Sequence, residues 1–93
     1  MASDARRLVP LEIVMTRVRS SAEAKALLDV LLSPHELANL RNRWFAFQML
    51  LDGATQRSIR DELGVSITTA SRAARTIGPG EKVIRGLIKR KDG

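Results

Sequence analysis

The eight residues WFAFQMLL (Trp44 to Leu51) constrain the fold of this chain more than any other stretch. Glutamine is their only polar residue, so a helix through them is apolar nearly all round. Such a helix needs neighbours on every side, as a core helix of a large protein has. The chain has only 93 residues, and one so short buries about 60–65% of the surface that its unfolded state exposes. It contains no cysteine, so neither a disulfide nor a thiolate metal site can staple a small core. A second copy is the remaining source of burial. The expectation is an intimate homodimer with this segment at its centre.

Composition and punctuation make the rest helical. Leu, Ala, Arg and Glu dominate, and aromatic residues are only 3% of the chain, which favours an all-α fold. Residues 1–9 are polar and basic. Pro10 can open a first helix, because its missing N–H is not needed there, and Leu11, Val14 and Val18 recur on one face. Ser20 and Ser21 can cap a second helix running to about Leu32. "SPHE" then offers Ser33 as N-cap, Pro34 in the first turn and Glu36 three residues on, a capping box. That third helix should run to Leu51 or Asp52, with Gly53 as its left-handed terminator. Leu37, Leu40, Trp44, Phe47 and Leu51 form its apolar stripe, which makes Trp44 a core residue. His35 stands alone at the helix start, a poor metal ligand.

Two short helices come next. Thr55 caps the first, with Ile59 and Leu63 turned inward; Gly64 supplies the turn; Ser66 caps the second. On a helical wheel that begins at Ile67, the residues Ile67, Ala70, Ala74 and Ile77 share the inward face. Thr68, Arg72 and Arg75, flanked by Ser71 and Thr76, share the opposite one. Hydroxyl and guanidinium groups in that arrangement suit phosphates and base edges. "IGPG" (residues 77–80) is expected to end this helix, and 82–91 to form a last basic helix with Val83, Ile84, Leu87 and Ile88 as its apolar face. About six helices in one domain result: residues 1–54 for dimerisation, 55–77 as a helix-turn-helix, and 78–93 as a basic C-terminal helix.

Charge shows the same division. Residues 55–91 carry nine Lys and Arg against three Asp and Glu, whereas residues 1–54 carry seven against six. Nearly all of the net +6 therefore lies in the helix-turn-helix and the C-terminal segment, as an anionic partner such as DNA requires. No apolar run is long enough for a secretory signal or a membrane span, so a cytoplasmic, nucleoid-associated protein is expected. One histidine, no cysteine and no Gly-rich phosphate loop leave catalysis without its usual groups, and no enzyme activity is expected.

From about Ala26 to Ile77 the chain resembles the Trp repressor family. The resemblance rests on "LLDVLLSPHELANLRNR", "LLDG", "TQRSIRDELG" and "VSITTASR", and "ASRAAR" resembles a divergent branch of that family. Generic helix-turn-helix units place a small residue four before the turn glycine, whereas Arg60 has the long basic side chain of this family. The resemblance implies six helices, an intertwined dimer and a reader for double-stranded operator DNA. In it, Gln56, Arg57 and Arg60 match DNA-contacting positions. The backbone N–H groups of Val65 and Ser66 would hold phosphates, with Arg72 and Arg75 as further basic contacts. Ile67, Thr68 and Ser71 would read base edges.

The same resemblance implies an effector, L-tryptophan or a related indole. Arg43 and Arg72 match the two arginines that sandwich the indole and hold its carboxylate; Val30, Leu32 and Ser33 match the groups that receive the amino group; Thr76 matches a polar position closing the pocket. Two positions depart from the family: Ala73 replaces a glycine, and Phe47 replaces a smaller aliphatic residue. Three alternatives stay open: an indole effector, another small effector, and a constitutive DNA binder whose slot Phe47 fills. Arg43 itself either lines this pocket or pairs with a carboxylate on a neighbouring helix. In a further alternative the chain is a helical dimer that binds a partner protein and uses its basic segment only electrostatically.

Overall fold

Side-chain caps at Ser20, Ser33, Thr55 and Ser66 mark where four helices start. In the computed structural model, which describes residues 6–90, there are five helices and no strand among the described residues: α1 (Leu11–Met15), α2 (Ser21–Leu31), α3 (Pro34–Leu51), α4 (Gln56–Leu63) and α5 (Ile67–Lys89). The expected all-α class holds. The chain divides into two compact units, one ending at Leu37 and one beginning at Ala38.

In the first unit Pro10 precedes α1, as its sequence position suggests. The Ser20 hydroxyl accepts the Glu23 N–H at 3.0 Å, and Glu23 reaches back to the Arg19 N–H at 2.8 Å. The capping box at the start of α3 is complete: the Glu36 N–H donates to Ser33 Oγ at 3.2 Å, and the Ser33 N–H donates to Glu36 Oε1 at 2.8 Å. Both satisfy donors that a helix start leaves orphaned. The same bonds, that from the Ser33 backbone foremost, hold the Glu36 carboxyl below its ordinary range.

In the second unit α3 ends at Gly53, whose φ of 91° is left-handed. The Gly53 N–H donates to the Leu50 carbonyl and the Ala54 N–H to the Met49 carbonyl, the paired bonds of a Schellman end. The Leu51 carbonyl is taken by the guanidinium of Arg85 at 3.2 Å, which anchors the far half of α5 to the end of α3. Ala46, Ile59, Ala70 and Ala73 form the buried cluster, with Phe47, Met49, Leu50, Ala54, Leu63 and Val65 packed around it. Three of those four buried residues are alanines, so α3, α4 and α5 approach closely and bury little apolar volume.

Three expectations need correction. The "IGPG" stretch does not end a helix: α5 continues from Ile67 to Lys89 with Pro79 inside it, so the separate C-terminal helix merges with the second reader helix. Proline normally clashes with the Cβ of the residue before it, but Gly78 has none. What remains is the helical bond that Pro79 cannot donate to the Arg75 carbonyl, together with the crowding of its ring against that carbonyl. Continuity keeps Ile77 and Ile84, both half-buried, seven residues apart on one face. Second, the apolar stripe of α3 is buried only in part within the single chain: Leu37 is buried, whereas Leu40 is 43% and Trp44 38% exposed, and the other buried position, Ala46, lies off the stripe. Third, Ile67 is 45% exposed, and Ala73 takes the inward place beside Ala70.

Candidate nucleic-acid interface and adjoining cleft

Helix, left-handed glycine and capped helix succeed one another from Thr55. The Thr55 hydroxyl accepts the Ser58 N–H at 3.1 Å. Gly64 has φ 69° and donates its N–H to the Arg60 carbonyl, which turns the chain out of α4. The Ser66 hydroxyl accepts the Thr69 N–H at 3.0 Å and starts α5. Ile59 and Ala70, both fully buried, hold the two helices together from within. On the outer side the Ser71 hydroxyl donates to the Gln56 side-chain carbonyl at 2.7 Å. This arrangement is a helix-turn-helix.

The residues singled out for DNA divide by place. Gln56, Arg57, Ser66, Ile67, Thr68, Arg72 and Arg75 are exposed, whereas Arg60, Val65 and Ser71 are half-buried. Arg60 meets Asp61 at 2.9 Å, with both side chains partly in solvent. Such a pair is weak and is readily exchanged for a stronger anion. The Ser71–Gln56 bond fixes two of these side chains against each other and leaves the Gln56 amide N–H groups to donate elsewhere.

Beside this unit lies a cleft of about 610 Å³ within the second unit, between α3 and the first half of α5. It is lined by Arg43 and Phe47 from α3, by Arg72, Ala73 and Thr76 from α5, and by the turn residues Val65 and Ser66. Five residues assigned to a ligand from sequence, Arg43, Phe47, Arg72, Ala73 and Thr76, thus meet around one space. The Phe47 ring packs on the buried cluster and forms a wall, and the cleft remains open beside it. Arg72 belongs to the cleft lining, so a two-faced wheel is too simple for α5. Thr69, Arg72, Ala73 and Thr76 recur at a helical spacing as a third face, between the buried alanines and the outward Thr68 and Arg75.

The ion pairs among the described residues join Lys25 to Asp29, Arg60 to Asp61 and Arg85 to Glu81. Neither Arg43 nor Arg72 is in one of them. The Thr76 hydroxyl donates to the Arg72 carbonyl at 2.8 Å. Val30, Leu32 and Ser33 lie in the first unit. Val30 is 84% exposed, and the Val30 and Leu32 carbonyls stand at the end of α2, beyond the reach of helical N–H groups.

Sequence reading missed Asn39, Asn42, Gly64 and Thr69 in the cleft lining. A helical step was the available signal: Asn39 lies one turn before Arg43, and Thr69 one turn before Ala73. Among the described residues no three His, Cys, Asp or Glu side chains gather where they could hold a metal ion, and no helix is long and apolar enough to cross a membrane. Comparison with known families matches residues 11–92 to the Trp repressor protein family. No curated protein and no solved structure matches the chain.

Proposed function

The chain belongs to the Trp repressor family of DNA-binding transcriptional regulators, and on that premise we propose that it is a dimeric repressor controlled by a small effector in the α3–α5 cleft. The family's members are regulators rather than enzymes. The observation that carries the effector is the cleft itself: two arginines without carboxylate partners among the described residues line one space beside the reader helix. Guanidinium planes stack on aromatic rings and pair with carboxylates, which suits L-tryptophan or a related indole acid. Ala73 and Phe47 narrow this cleft without closing it, which favours an effector over a constitutive binder.

In this reading α4 and the start of α5 dock on operator DNA. Arg57, Arg60 and the N–H groups of Val65 and Ser66 hold phosphates, while Ile67, Thr68 and Ser71 meet base edges in the major groove. Arg75 adds a basic contact from the outward face of α5. The exposed apolar side chains of the central helix, Trp44 and Phe45 among them, support a second copy as their cover. The protein works with the DNA in the cytoplasm.

An effector acts here by population shift, favouring the reader position that fits successive major grooves. Calorimetric titration of L-tryptophan into the protein tests the reading. Stoichiometric heat that disappears in Arg43→Ala and in Arg72→Ala is expected, together with tighter retardation of operator DNA when the ligand is present. No heat at millimolar tryptophan, with DNA retarded equally in its absence, would establish the constitutive binder instead.

A further inference from the structure

We infer that Asn39 and Asn42 set the effector specificity of the α3–α5 cleft, and that its ligand is a planar aromatic acid with hydrogen-bonding groups on its ring edge. The inference rests on the effector reading above and refines the class of ligand. Three features of the lining lead to it. No acidic side chain contributes to the cleft, while Arg43 and Arg72 both do, so the space is complementary to an anionic group. Phe47 and the two guanidinium planes offer flat surfaces, which favour a planar ring. Asn39 and Asn42 lie three residues apart, on the same stretch of α3 as Arg43, and both line the cleft.

A carboxamide carries two donors and an acceptor. Among the described residues, the side-chain bonds that tie the second unit together run from Ser71 to Gln56 and from Arg85 to Leu51, and neither uses an asparagine. A ligand entering the cleft strips water from both amides. Against a hydrocarbon edge their donors and acceptors are left unpaired, and an indole offers only its single N–H. A ring edge with its own donor and acceptor replaces the lost water bonds. Sites built with polar groups reject ligands lacking the matching ones more strongly than apolar pockets reject a misfit in size. The cleft volume, about 610 Å³, falls in the range of small-molecule sites.

The test compares two acids of nearly the same shape, naphthalene-2-carboxylate and 4-hydroxyquinoline-2-carboxylate, by calorimetry on the full chain. The quinoline acid is expected to bind roughly three- to tenfold more tightly, as one or two neutral hydrogen bonds allow. Asn39→Leu with Asn42→Leu should erase that difference while leaving both acids dependent on Arg43. Retardation of duplex DNA by the asparagine variant checks that its fold is intact, and single substitutions repeat the test if it is not. Equal binding of the two acids, lost in Arg43→Ala, overturns the specificity role and leaves the effector site standing. Binding of neither acid, and of no tryptophan, overturns both.

Discussion

Ile59 is the largest fully buried side chain among the described residues, and it sits where α3, α4 and α5 meet through alanines. Little else there can collapse to fill its space. Ile59→Ala is therefore expected to destabilise by about 2–4 kcal/mol, read by chemical denaturation, and Ile59→Val by about 1 kcal/mol. Arg57 is exposed and Arg60 half-buried, and in our proposal both contact DNA. Arg57→Ala with Arg60→Ala should leave thermal stability nearly unchanged and reduce the slope of log K against log salt by about 2, since each phosphate contact contributes about 0.9. A retained slope would remove α4 from the DNA interface. Glu36 supplies a pH effect of known sign. Its folded-state pKa is lowered by the Ser33 bonds, so the stabilisation is present above the ordinary carboxylate pKa and is lost as pH falls through the folded value. Glu36→Gln should flatten that acid limb in thermal melts.

At the scale of elements, α5 joins two tasks. Its first half reads DNA in our proposal and lines the cleft, and its second half is tied to the end of α3 through Arg85. Pro79, between Gly78 and Gly80, removes one bond of the helical ladder between the halves without ending the helix. A Cβ added at Gly80 meets only Ile84 Cδ1 at 3.9 Å. Gly80→Ala should thus stabilise the protein by about 0.5–1 kcal/mol through helix propensity. Gly64 behaves oppositely. Its φ of 69° disfavours any side chain although the space around it is open, so Gly64→Ala is expected to cost about 1–2 kcal/mol. Equal effects of the two substitutions in denaturation would mean that backbone conformation is not what distinguishes these glycines.

For the whole molecule the decisive quantity is exposed apolar surface. Leu11, Met15, Val30, Trp44, Phe45 and Val83 are all exposed in a single chain, more than scattered surface residues account for. In the proposed dimer a second copy covers much of that surface, and the melting temperature must then rise with protein concentration. Trp44 is the only tryptophan, so its emission reports the same event. Dilution to the monomer should shift the emission to longer wavelength in step with dissociation seen by sedimentation. A melting temperature independent of concentration over two decades would contradict the dimer.

The sequence by itself determined the starts of the capped helices, the turn at Gly64 and the Schellman end at Gly53, because caps and left-handed glycines act within four or five residues. It also carried the family resemblance, and with it the expectation that Arg43 and Arg72 meet around one space, as they do in the cleft. Tertiary structure alone decided which residues are buried within the single chain, since close approach of α3, α4 and α5 selects alanines such as Ala46 and Ala73 over the larger Trp44 and Ile67. It also decided that α5 runs through Pro79, where a glycine neighbour, the shared face of Ile77 and Ile84 and the Arg85 anchor outweigh one missing hydrogen bond. The cleft faces of Asn39, Asn42 and Thr69 were invisible for the same reason: a helical period says which residues share a side, but only a packed neighbour says what that side meets.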